Sequence, residues 1–117
     1  MHIDIQARGF NLTPALAAAV RREACELNGL LGDNAVRLQV RLFDVNSVKG
    51  GIDKGCLVAA RIGRLRRISV ASSVDTDLYR AISAAFDRLF RTVVAARHRE
   101  RTLRRERGAS AHAQDFS

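Results

Sequence analysis

Residues 2–8 alternate, with Ile3, Ile5 and Ala7 on one side and Asp4, Gln6 and Arg8 on the other. A period of two predicts a half-buried strand. Residues 9–11 break the pattern. Thr13-Pro14 then supplies an N-cap followed by proline at the first helical position. Leu16, Val20, Ala24 and Leu27 recur at helical spacing, so a helix over 13–28 is expected with that stripe buried. Asn28-Gly29 is expected to stop it, because both residues tolerate positive φ.

The longest alternation runs over 35–45. Val36, Leu38, Val40 and Leu42 share one parity, and Arg37, Gln39, Arg41 and Phe43 the other. Residues 46–55, NSVKGGIDKG, read as a polar glycine-rich loop. Residues 56–62, CLVAARI, and 66–74, RRISVASSV, read as two further strands around a short turn at Gly63 and Arg64. In the last strand Ile68, Val70 and Val74 share one parity and are expected to face the core. Short connections make the last three strands an antiparallel meander. Asp75 or Asp77 then caps a second helix over 76–105, whose apolar face is Leu78, Ile82, Phe86, Leu89 and Val93, with Ala85 and Phe90 alongside. It extends to about Arg107, and Gly108 is expected to end it.

The order β-α-β-β-β-α predicts an α+β fold: a two-layer sandwich of a four-stranded sheet with both helices packed on one face. The other sheet face would carry Arg37, Arg41, Arg61 and Arg67 to solvent. One domain over 1–107 and a disordered tail over 108–117 are expected.

Composition refines this picture in three ways. Aromatic residues are only 5% of the 117, with no Trp, so the core must be aliphatic. Cys25 and Cys56 stand alone, without CxxC spacing or a nearby His, and read as two buried thiols of a reducing compartment. The N-terminus MHIDIQARG has no basic segment followed by an apolar run, and no apolar run approaches a membrane span, so a cytoplasmic protein without membrane association is expected.

Charge changes the picture most. Lys and Arg total 20 against 12 Asp and Glu, a net charge of +8. Residues 1–60 carry a net of +1 and residues 61–117 a net of +7. From Arg88 to Arg107 there are eight Arg and two Glu. So one-sided a run, on a helix extending past its apolar stripe, points to phosphate contact rather than to solvation alone. Arg22, Arg88, Arg91, Arg97, Arg99 and Arg101 are the candidate RNA-binding residues. Arg64, Arg66 and Arg67 form a second basic cluster. The Gly50-Gly51 loop lacks a GxxxxGK[ST] or GxGxxG pattern and reads as a flexible connection. Phe43, outward by parity, is the better candidate for stacking a base, and Tyr79 is expected to pack at the sheet edge. His2, His98 and His112 lie far apart, and Ser69, Ser72 and Ser73 have no suggested base partner. No metal, cofactor, small-molecule substrate or enzymatic nucleophile is therefore expected.

Two segments carry a resemblance. Asp77-Leu78-Tyr79-Arg80-Ala81-Ile82, followed by Asp87-Arg88-Leu89-Phe90-Arg91, resembles the second helix of the ribosome hibernation factors, the hibernation-promoting factor and ribosome-associated inhibitor family. The Ile3/Ile5 strand, then Asn11-Leu12-Thr13 and Ala15-Leu16, match the family's opening in the right order. The resemblance spans about residues 1–107 and implies the same β-α-β-β-β-α fold in its short, single-domain form. It implies a non-enzymatic partner of the small (30S) ribosomal subunit that binds 16S rRNA in the decoding channel, where tRNA and mRNA would sit, and inhibits translation. Basic side chains around the groove beside the two helices would make the contacts, with Arg88, Arg91 and Arg97 at family basic sites. Three departures stand out. Ala95, Glu23 and Glu26 occupy positions where relatives often carry Lys, only Arg21 and Arg22 remain basic on that stretch of the first helix, and the Lys49–Lys54 loop is longer. A general RNA-binding module not tied to the ribosome, or a protein-interaction regulator of transcription of the sigma-factor modulation type, are the alternatives.

Overall fold

In a computed structural model of the chain, residues 2–31, 36–44, 54–62 and 67–114 are described. They form β1 (His2–Arg8), α1 (Pro14–Leu31), β2 (Val36–Asp44), β3 (Lys54–Ile62), β4 (Arg67–Asp75) and α2 (Leu78–Gln114). The Gly50-Gly51 loop, Arg64, Arg66 and the Gly63 turn lie outside the described residues.

The sheet order is β1-β2-β3-β4, with β1 parallel to β2 and the last three strands antiparallel. Both helices cover one face, as the element order predicts. The core is aliphatic: Leu16, Val20, Ala24 and Leu27 of α1 and Leu78, Ile82, Phe86, Leu89 and Val93 of α2 close over Leu38, Val40, Leu42, Cys56, Val58 and Ala60.

Each helix start is chemically explicit. The Leu16 N–H donates to Thr13 Oγ1 at 3.2 Å, and Pro14 sits at the first helical position, where a missing N–H costs nothing. At α2 the Tyr79 N–H donates to Asp77 Oδ1 at 3.0 Å, so Asp77 is the cap. Asp75 instead accepts from the Asp77 N–H at 3.0 Å and shapes the preceding bend. That bond holds its carboxyl below the usual carboxylate range.

Both helix ends differ from expectation. α1 continues through Asn28-Gly29 to Leu31. Gly29 keeps a helical backbone, and nothing would touch a Cβ there. α2 continues through Gly108 to Gln114. Glycine in a helix costs only about 1 kcal/mol against alanine, and the flanking Arg, Glu and Ala are strong helix formers. The chain reverses instead at Gly9, whose φ of +87° brings it against Asp44. Gly9→Ala is expected to cost about 1–2 kcal/mol, read as a lower urea midpoint at unchanged slope.

Strand β3 starts at Lys54, two residues before the apolar pattern. Gly55 pairs with Phe43, and the Phe43 ring occupies the space a Cβ on Gly55 would need. Phe43 thus faces outward, as parity requires, but one face of its ring covers glycine backbone.

The largest departure is β4. Ile68, Val70 and Val74 are 57%, 53% and 52% exposed, while Ala71 is buried. The inward residues are Ser69, Ala71 and Ser73, not the large apolar ones. The cause lies across the layer, where α2 presents Ala81 and Ala85, both fully buried. Small residues on both sides let helix and strand approach closely, and Val or Ile facing inward would push α2 away. Arg67 shares the inward parity, contrary to its expected place on the solvated face; its side chain lies outside the described residues. Cys25 is exposed rather than buried. It neighbours the buried Ala24 but falls off the stripe that faces the sheet. Cys56 is buried, and desolvation pushes its thiol up to about 12, leaving it inert.

Candidate nucleic-acid interface

The candidate arginines fall on two helices. On α1, Arg22 is exposed, two residues beyond the fully buried Val20 and so on the opposite side of the helix. On α2, Arg88 and Arg91 lie three residues apart and both are exposed. Arg99, also exposed, follows Arg88 by three turns, about 16 Å along the same side of the helix. Arg97 and Arg101 sit on the same helical backbone, with side chains outside the described residues. The structure therefore gathers Arg88, Arg91 and Arg99 on one helix and leaves Arg22 apart.

Neither Arg88 nor Arg91 is idle. Arg88 Nη1 donates to the Ser72 carbonyl at 2.8 Å, tying α2 to the edge strand β4. A guanidinium has five donors, so this bond leaves capacity for a phosphate. Arg91 Nη2 meets Asp87 Oδ2 at 2.9 Å, one turn away. Both side chains are mostly exposed, and such a pair is worth at most about 0.5 kcal/mol, so a phosphate can displace it. Arg88 thus has a structural role that its position off the apolar stripe did not reveal. The signal would have been the unpaired carbonyls that any edge strand must satisfy.

Beyond Val93, the last of the described α2 residues in the core, the helix continues to Gln114, about 31 Å further at 1.5 Å per residue. The molecule is accordingly elongated, 67 × 26 × 17 Å. The eight arginines between residues 88 and 107 begin on the globular part and run out along this overhang.

The space between the helices has the opposite sign. An open groove of about 780 Å³ is lined by Glu23, Glu26, Asp75 and Asp87 against Arg80, with Tyr79, Phe86 and Phe90 supplying aromatic walls. Ser83 Oγ donates to Glu23 Oε1 at 3.2 Å across it. The basic groove implied by the resemblance is not what lies between these helices, because the glutamates at 23 and 26 point there. Tyr79 lines this groove and is 47% exposed, rather than packing at the sheet edge.

Among the described residues no group of His, Cys, Asp and Glu is arranged to hold a metal ion. No helix there is long and apolar enough to cross a membrane.

A family model described as sigma 54 modulation protein / S30EA ribosomal protein matches residues 3–105. No curated protein sequence matches significantly. Among solved structures, the N-terminal domain of Protein Y from Thermus thermophilus superposes with a TM-score of 0.66 at 23% identity, covering 80% of this chain and 96% of that one. A ribosomal subunit interface protein from Coxiella burnetii superposes with a TM-score of 0.62 at 14% identity, covering 84% of this chain and 99% of that one. These two likenesses establish the shared fold.

Proposed function

Because the chain belongs to the sigma 54 modulation protein / S30EA ribosomal protein family, a family of ribosome-associated proteins, we propose that it docks on the small ribosomal subunit by laying α2 along 16S rRNA. There it blocks tRNA and mRNA and inhibits translation without chemistry. The observation that carries this reading is the basic overhang of α2. A helix with so many arginines, running about 31 Å past Val93, concentrates positive charge of the kind a phosphate backbone attracts. Backbone contact fixes position but reads no sequence. Selection of one rRNA site then comes from shape, as is usual for structured RNA. Arg88, Arg91 and Arg99 are the described residues placed to make these contacts, with Arg97 and Arg101 on the same helix. Arg22 extends the surface onto α1, where Glu23 and Glu26 limit its share.

The test is co-sedimentation with small subunits, joined to chemical footprinting of 16S rRNA. Arg88→Glu/Arg91→Glu is expected to lose at least tenfold in affinity. Since Arg88 also holds Ser72, Arg91→Glu/Arg99→Glu serves as a companion that spares that bond, and thermal melts check both folds. Folded variants that still sediment fully, or protection confined to the large subunit, would overturn the proposal.

A further inference from the structure

The side of α2 that borders the groove has a charge order that does not depend on what the overhang does on RNA. Ser83, Asp87, Phe90 and Val94 follow one another at spacings of four, three and four, and positions 97, 101 and 104 continue the spacing with three arginines. The row is acidic at one end, where Asp87 joins Glu23, Glu26 and Asp75 around the groove. It is apolar at its centre, where Phe90 and Val94 are 36% and 43% exposed. It is basic at the other end. A row ordered in this way is complementary to itself when reversed.

We infer that α2 pairs antiparallel with α2 of a second copy of this chain, about a two-fold axis near residue 92, so that each basic overhang lies in the other copy's acidic groove. In that register Phe90 meets the second copy's Val94, and Asp87 faces its residue 97. Ser83, with Glu23 beside it, faces its residue 101. The apolar centre is thereby covered on both copies, and Asp87 and Glu23 are set opposite the arginine positions 97 and 101. The arrangement is isologous and closes on itself, so it yields dimers and not filaments. The complementary seam, from residue 83 to residue 101, is about 27 Å long, and it ends where Arg80 would meet Arg104. Three features of the single chain call for such an occupant. A helix standing alone in water is only marginally stable, two large apolar side chains are exposed side by side, and four carboxylates share an open groove with one guanidinium, that of Arg80. The same arginines cannot serve RNA and a second copy together, so the pairing belongs to the protein off the ribosome.

The experiment is sedimentation equilibrium of the full chain without RNA. Wild type is expected to approach twice the monomer mass as concentration rises into the micromolar range, and to shift toward monomer as salt increases, since the flanking contacts are ionic. Glu23→Lys/Asp87→Lys and Arg97→Glu/Arg101→Glu each place like charges opposite each other in a homodimer, so each variant alone is expected to be monomeric. Mixed in equal amounts they restore both contacts, and a one-to-one heterodimer is expected. Circular dichroism confirms that each variant is folded. A wild type that stays monomeric to 100 µM at low salt would overturn the inference. So would a dimer that both charge variants leave intact, or a mixture of the two that remains monomeric.

Discussion

Ending the chain after Ala96 is expected to leave a folded protein whose affinity for small ribosomal subunits is at least a hundredfold lower at low salt. It removes Arg97, Arg99, Arg101, Arg104, Arg105 and Arg107, with Glu100 and Glu106. The core survives because Val93 is its last member among the described residues of α2. Each phosphate contact contributes roughly 0.7–0.9 to the slope of log affinity against log salt. Losing three or four contacts therefore flattens the slope by about 2–4. Binding titrations at several salt concentrations measure both quantities together. An unchanged slope would mean that the overhang carries solubility alone. A lost cooperative melting transition would mean that the fold depends on helix beyond residue 96.

The second large effect is on stability. Leu89 is fully buried in the layer between α2 and the sheet. Leu89→Ala is expected to cost about 2–5 kcal/mol, combining lost transfer energy with the cavity left behind. Val94, five residues on, is 43% exposed. Val94→Ala is expected to change the stability of the monomer by no more than about 0.5 kcal/mol. Urea denaturation of both variants, at concentrations low enough to keep the chain monomeric, checks the contrast. Equal effects would mean that α2 is rotated from the orientation described.

That contrast between Leu89 and Val94 was legible in the residues, and its legibility has a physical source. A helix with a single apolar stripe can turn only one way, so Leu78, Ile82, Phe86, Leu89 and Val93 fall where periodicity places them. The same holds for β2, whose alternate partners are Arg and Gln. Strand β4 was not legible. Alternation shows which residues share a face, but not which face, when neither parity is charged throughout. Ile68, Val70 and Val74 outweigh Ser69, Ala71 and Ser73 on any hydrophobic scale, yet closeness to Ala81 and Ala85 decides the matter. That is a steric condition between segments and is not written in either segment alone. The candidate site divides along the same line. The arginine run was visible as composition, whereas the acidic groove appears only when α1 is set beside α2 and Glu23 reaches Ser83.

The inverted strand β4 also bears on how the chain finds its register. A one-residue slip of a strand exchanges its two faces. In β4 such a slip would carry Ile68, Val70 and Val74 beneath the helices, a gain in apolar burial. Hydrophobic attraction alone thus favours the wrong pairing. Two features act against it. The fully buried Ala81 and Ala85 of α2 leave little volume for branched side chains, and in the native register Arg88 donates to the Ser72 carbonyl. Seating α2 with Ala81 and Ala85 buried thus fits Ser69, Ala71 and Ser73 facing inward and does not fit Ile68, Val70 and Val74 there.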